Sequence, residues 1–81
     1  MKYLFLPYFT AQLADLPTII QKKFWKQLGF LLANINHPSL RAKKYSEMDD
    51  TWQARVDHSY RFYFKIEGGT YVLTELIKHM D

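Results

Sequence analysis

Apolar and polar residues alternate with period two through Thr51–Lys65. Trp52, Ala54 and Val56 fall on one side, and Thr51, Gln53 and Arg55 on the other. After a break, Tyr60, Phe62, Phe64 and Ile66 share one side, and Arg61, Tyr63 and Lys65 the other. Such alternation marks half-buried strands. A two-residue turn at His58-Ser59 would set Arg55 beside Phe62 and mix the faces. A three-residue turn, Asp57-His58-Ser59, sets Val56 beside Tyr60, Ala54 beside Phe62 and Trp52 beside Phe64. One wholly apolar face results, and that selects the register. The same register sets Arg55 beside Arg61. Like charges opposed across a strand pair are unfavourable. A fold keeps such a pair where an anion usually sits, or where the side chains splay into water.

The pattern elsewhere supplies the remaining elements. Lys2–Leu6 is a short apolar run that predicts a strand, stopped by Pro7, which cannot donate to a ladder. Thr10 is placed to cap a short helix running to about Asp15. Pro17 suits the first turn of a second helix, running to about Asn34. Along it Ile20, Phe24, Leu28, Leu31, Leu32 and Ile35 form an apolar stripe at helical spacing, with Gln21, Lys22, Lys26 and Gln27 away from it. Gly29 is small enough to admit a close neighbour. Ser39–Asp50 is polar and reads as a loop. Glu67-Gly68-Gly69-Thr70 is a hairpin signal. Pairing outward from it sets Ile66 beside Tyr71, Phe64 beside Leu73 and Tyr60 beside Ile77. Glu75 beside Phe62 is the one mismatch. The expected fold is α+β, ordered β-α-α-β-β-β, with two N-terminal helices on one face of an antiparallel-rich sheet of about four strands.

Composition bounds the partners. The 81 residues make one small domain, 1–81, and the 17% aromatic share lets so short a chain build a dense core. No cysteine is present, which fits a reducing cytoplasm and leaves no thiolate metal site. The apolar start at Met1–Leu6 is too short for a signal peptide, and no run approaches the ~20 apolar residues that span a bilayer. A cytoplasmic protein with no membrane partner is expected. Net charge is +3, but Leu16–Ser46 holds six basic residues and no acid. That asymmetry points to a polyanionic or acidic partner. For Lys22, Lys23 and Lys26 the plain alternative is a solvated helix face.

No phosphate-binding glycine loop or serine triad motif is present. His37, His58 and His79 lie far apart without carboxylates at ligand spacing, so neither a metal nor another cofactor is expected. What remains is a basic, partly aromatic sheet face. Arg55, Arg61, Tyr63 and Lys65 lie on it, and Arg41, Lys43 and Lys44 enter from the loop. The arginine fork donates two parallel hydrogen bonds to phosphate, and single-stranded bases stack on aromatic and guanidinium planes. His79 follows the last strand, and a histidine can give or take a proton in phosphodiester cleavage. The plain alternatives are salt bridges from Arg55 and Arg61 to Asp57 or Glu75, and a frayed terminal residue at His79.

At these residues the chain resembles the RelE/ParE superfamily of toxins from bacterial toxin–antitoxin systems. The resemblance is carried by His-Pro-Ser-Leu-Arg-x-Lys-Lys (His37 to Lys44), Trp-x-x-Arg-Val (Trp52 to Val56), Tyr-Arg-Phe-x-Phe (Tyr60 to Phe64), a glycine hairpin and His-x-Asp (His79 to Asp81). It implies a ribosome-dependent mRNA endonuclease of the RelE-like branch, using the RNA 2′-hydroxyl as nucleophile without a metal. It implies catalytic roles for Arg61, Arg55 and His79, and RNA contacts from Arg41, Lys43, Lys44, Tyr63 and Lys65. The implied partners are the ribosome, mRNA and a cognate antitoxin, the last forming a toxin–antitoxin hetero-oligomer. Family members often continue His-x-Asp-x-Tyr, whereas this sequence ends at Asp81; Tyr63 is the candidate substitute, and Glu47 the remaining candidate for a base. The alternatives are a ParE-like, non-enzymatic gyrase poison and a degenerate member that only binds an antitoxin.

Overall fold

The computed structural model describes residues 1–79; Met80 and Asp81 lie outside the described residues, and with them the end of the His-x-Asp match. Among the described residues the chain forms β1 (Lys2–Phe5), α1 (Pro7–Ala14) and α2 (Thr18–Ala33). A 3-10 turn at Pro38–Leu40 leads into β2 (Lys43–Ser46), β3 (Thr51–Arg55), β4 (Tyr60–Glu67) and β5 (Thr70–Lys78). The strands make one sheet in the order β1-β5-β4-β3-β2, parallel only between β1 and β5. The expected α+β architecture is present with one strand more than the sequence pattern indicated. That strand, β2, lies within the segment expected to be a loop. Its four residues are Lys-Lys-Tyr-Ser, none with the branched apolar side chain that marks a strand, and it pairs along one edge only.

Both helices begin differently from expectation. Pro7 opens α1 rather than merely ending β1, because a residue without an N–H is tolerated in the first turn; Thr10 then lies inside the helix. Pro17 precedes α2 as its N-cap. The helices cover one face of the sheet. Phe9, Leu13, Ile20, Phe24, Leu28 and Leu31 meet Ala54, Val56, Phe62, Phe64, Leu73 and Leu76 in one cluster. Phe24 packs edge-on against Phe62 with ring centroids 5.4 Å apart, a favoured geometry for aromatic quadrupoles. Leu32 and Ile35 flank this cluster half-buried. Gly29 faces open space, with no atom within 4 Å of where a Cβ would stand, so no neighbour uses its small size. Among the described residues no helix is long and apolar enough to cross a membrane.

The β3–β4 register is the one that the apolar pattern selects. Trp52 faces Phe64, Ala54 faces Phe62, and Arg55 faces Arg61. Gly68 and Gly69 both have positive φ, as a two-residue hairpin turn of this twist requires. From that turn Ile66 pairs Tyr71 and Phe64 pairs Leu73. The ladder then slips. Tyr63 pairs Glu75, Phe62 pairs Leu76 and Arg61 pairs Ile77, leaving Thr74 as an extra residue. The bulge removes the mismatch of Glu75 against Phe62. It also reverses the face of everything after it, since one residue of slip exchanges the sides. Leu76 enters the core, and the following odd-numbered residues join Arg61 on the opposite face. Tyr60 accordingly pairs Lys78, not Ile77.

Gln12 on α1 accepts a 2.8 Å hydrogen bond from the Leu76 N–H, satisfying the strand edge beyond the end of β1. Deleting Thr74 removes the bulge but leaves Glu75 opposite Tyr63 and Leu76 opposite Phe62, so cooperative unfolding is expected to survive it. Thr74→Ala keeps the residue count and loses only the Oγ1 bond to the Tyr63 carbonyl. It should cost about 0.5–1.5 kcal/mol. Urea denaturation of the two variants checks both expectations.

Candidate nucleic-acid interface

The turn between β3 and β4 builds one wall of a site. Asp57 Oδ1 accepts from the N–H groups of Ser59 (2.8 Å) and Tyr60 (2.9 Å), which folds the turn on itself. Its Oδ2 meets Lys23 of α2 at 3.3 Å. Partial burial pushes the Asp57 carboxyl up, but these donors and the Lys23 charge outweigh it and hold the group below the usual carboxylate range. Arg61 is 6% exposed, and its Nη1 donates to the carbonyls of Asp57 (2.8 Å), His58 (3.1 Å) and Tyr60 (3.1 Å). The arginine thus binds the turn's backbone, while the nearby carboxylate is drawn away toward α2.

The consequence is a pocket of about 310 Å³ lined by Arg41, Lys43, Gln53, Arg55, Arg61 and His79. It holds four guanidinium or ammonium groups and, among the described residues, no acidic lining residue. The described ion pairs are Lys23–Asp57 and Lys44–Asp50, so neither Asp57 nor Glu75 neutralises Arg55 or Arg61. Partial desolvation, then the positive charges of Arg41 and Arg61, pull Arg55 below the ordinary arginine value. An anion in the pocket would relieve that repulsion.

Each lining group arrives by a local device. Gln27, expected on the solvent side of α2, is 6% exposed. Its Nε2 donates to the Arg55 carbonyl (2.9 Å) and the Ser39 carbonyl (3.2 Å), which ties α2 to β3 and to the 3-10 turn. The His37 ring stacks on Phe30 at 3.8 Å, and its Nδ1 accepts from the Ser39 N–H, starting that turn. Arg41 ends it in the left-handed region, at φ 46°. A side chain there costs roughly 1–2 kcal/mol. His79 N–H donates to the Ser59 carbonyl at 2.6 Å, extending the ladder beyond β5 to the same turn.

The structure brings together five of the eight residues nominated from sequence: Arg41, Lys43, Arg55, Arg61 and His79. Lys44 is not with them. It pairs with Trp52, stands 5.4 Å over that indole ring and binds Asp50 at 2.9 Å. Lys65 lies farther along β4, where its charge acts on Asp50. Tyr63 is buried beside the pocket, with its hydroxyl accepting from Gln53 Nε2 at 2.9 Å. Glu47 lies in the exposed β2–β3 turn, outside the pocket lining. Gln53, placed on the Arg55 side of β3, and Gln27 on α2 were not nominated, because a lone glutamine on a strand or a helix face signals nothing by itself.

No protein-family model and no curated protein sequence matches the chain. Solved structures do. The "YoeB/ParE toxin from Agrobacterium tumefaciens" superposes with a TM-score of 0.82 at 10% identity, covering 99% of this chain and 100% of that one. The YoeB dimer from Staphylococcus aureus matches at 0.80 and 14%, covering 99% and 98%. The RelB–RelE antitoxin–toxin complex from Methanococcus jannaschii matches at 0.74 and 21%, covering 93% and 88%. The fold is that of the RelE/ParE toxins. On this RelE/ParE fold the cationic pocket occupies the sheet face opposite the helices, where β3, β4 and the end of β5 converge.

The strain at Arg41 makes a prediction. Arg41→Gly accepts the left-handed backbone without a Cβ clash and also removes one of four like charges. Stability to urea is expected to hold or to rise by up to about 1 kcal/mol. Affinity for a phosphate-bearing ligand is expected to fall. A substitution that destabilises the fold would contradict the geometry.

Proposed function

We propose that this protein is the toxin of a toxin–antitoxin pair and cleaves mRNA on the ribosome. The observation that carries the reading is the unneutralised pocket of Arg41, Lys43, Arg55 and Arg61 with His79 in its wall. Phosphoryl chemistry without a metal needs orientation, stabilisation of charge on the phosphorane and a proton donor. In this reading the 2′-hydroxyl of the RNA gives up its proton to solvent water, its oxygen attacks the adjacent phosphorus, and the bond to the 5′-oxygen breaks. A 2′,3′-cyclic phosphate forms, and the leaving 5′-oxygen takes a proton from His79. Arg55 stabilises the charge on the non-bridging oxygens. Arg61, anchored through Nη1, presents its guanidinium from a fixed position. Arg41 and Lys43 hold the flanking backbone.

A cognate antitoxin is the proposed partner, binding so as to cover this cationic face. Solved neighbours of the fold include RelB–RelE and YoeB–YefM complexes, which supports that proposal. A second reading, a ParE-like gyrase poison, draws support from two features. Arg61 Nη1 is already committed to three carbonyls, and the described pocket lining offers no carboxylate base.

Expression in a bacterial host separates the readings. Wild type is expected to arrest growth and to yield cleavage stops in toeprinting of ribosome-bound mRNA. Arg55→Ala and His79→Ala should each reduce cleavage by about 10²-fold or more. Unchanged growth arrest in both variants would exclude this mechanism, and drug-independent gyrase cleavage complexes would establish the second reading.

A further inference from the structure

The open face of the sheet is divided by charge. Beside the cationic pocket lies a second groove, of about 380 Å³, with no basic residue among its described lining. Tyr8 from the first turn of α1, Tyr45 from β2 and Tyr63 from β4 form its aromatic walls, and Asp49 and Glu75 supply carboxylates. Tyr8 and Tyr45 are 62% and 61% exposed, an unusual outlay of aromatic surface on so small a protein. Tyr45 stands against Tyr63 in a T-shaped pair with centroids 5.0 Å apart. Tyr63 is fixed in turn by Gln53, which also lines the cationic pocket, so the two hollows share a wall. Tyr63 lies two residues from Arg61 on β4, roughly 6.5 Å along the strand.

We propose that this groove receives one nucleobase of the RNA whose phosphate occupies the cationic pocket, and that it favours bases carrying an exocyclic amine over uracil. The proposal rests on the RNA reading above and adds the site that chooses among sequences. A nucleobase has a π-face for the tyrosines to stack on, whatever its identity. The carboxylates of Asp49 and Glu75 repel phosphate, so the backbone is kept to the cationic half. The same carboxylates accept hydrogen bonds from an amine, as acidic side chains do from cytosine N4. Uracil offers carbonyl oxygens where the other bases offer that amine, and those oxygens would face the carboxylates.

The test is equilibrium binding of the full chain to short, non-cleavable 2′-O-methyl oligomers of adenine, cytosine, guanine and uracil. An abasic oligomer of the same length serves as the reference. The amine-bearing oligomers are expected to bind more tightly than uracil, and uracil more tightly than the abasic strand. Tyr45→Ala and Tyr8→Ala, both at exposed positions, should weaken the base-bearing oligomers roughly 5- to 100-fold and leave the abasic strand unchanged. Glu75→Gln should erase the preference against uracil. Equal affinity for abasic and base-bearing strands would overturn the groove's role, as would a Tyr45→Ala loss shared by both. In either case a continued loss of binding in Arg55→Ala would leave the RNA reading intact. Binding of every oligomer unaffected by Arg55→Ala would sink the RNA reading and the groove with it.

Discussion

The pairing of β4 with β5 is the constraint on which the rest depends. Were Thr74 paired with Tyr63 in a regular ladder instead of bulged out, Glu75 would enter the core opposite Phe62, and His79 would fall on the helix-covered face. With the bulge, Phe62 meets Leu76, and Arg61 meets Ile77. One residue of slip therefore closes the core and carries the end of β5 to the turn that Arg61 organises. The His79–Ser59 backbone bond extends that placement. Core packing and site assembly are the same event in this fold.

The site itself is a concentration of like charge that the protein tolerates. Arg55 and Arg61 are cross-strand neighbours, and the carboxylate best placed to neutralise them, Asp57, is occupied by the turn's N–H groups and Lys23. Arg61 offsets its burial through carbonyl dipoles, which satisfy donors without cancelling charge. Arg41 sits in a strained backbone conformation at the pocket wall. Like-charge repulsion with a strained residue beside it is the kind of arrangement that a bound anion would relieve.

Much of this was legible in the residues. The β3–β4 register followed from keeping Trp52, Ala54 and Val56 with Phe64, Phe62 and Tyr60, and the Arg55–Arg61 juxtaposition followed from it. The Gly68-Gly69 hairpin was equally plain. What stayed hidden has identifiable causes. The bulge left one trace, the misfit of Glu75, because an inserted residue has no signature until both strands are paired. Edge strand β2 was hidden by its shortness and polarity, and with it the fact that Lys43 and Lys44 project to opposite faces. Gln27 looked like a surface residue because helical periodicity registers polarity, not the carbonyls of Ser39 and Arg55 that await it. The aromatic groove joins Tyr8, Tyr45 and Tyr63 from three separate elements, and no local pattern links them.

The central claim is that the cationic pocket is a phosphate site whose charges are uncompensated in the free protein. Thermal unfolding with increasing inorganic phosphate at constant ionic strength tests it most directly, since a ligand that binds only the folded state raises Tm. Phosphate is expected to raise Tm for the wild type and not for Arg55→Ala, and without phosphate Arg55→Ala should unfold at or above the wild-type temperature. A Tm indifferent to phosphate, or one raised equally in both proteins, would contradict the account.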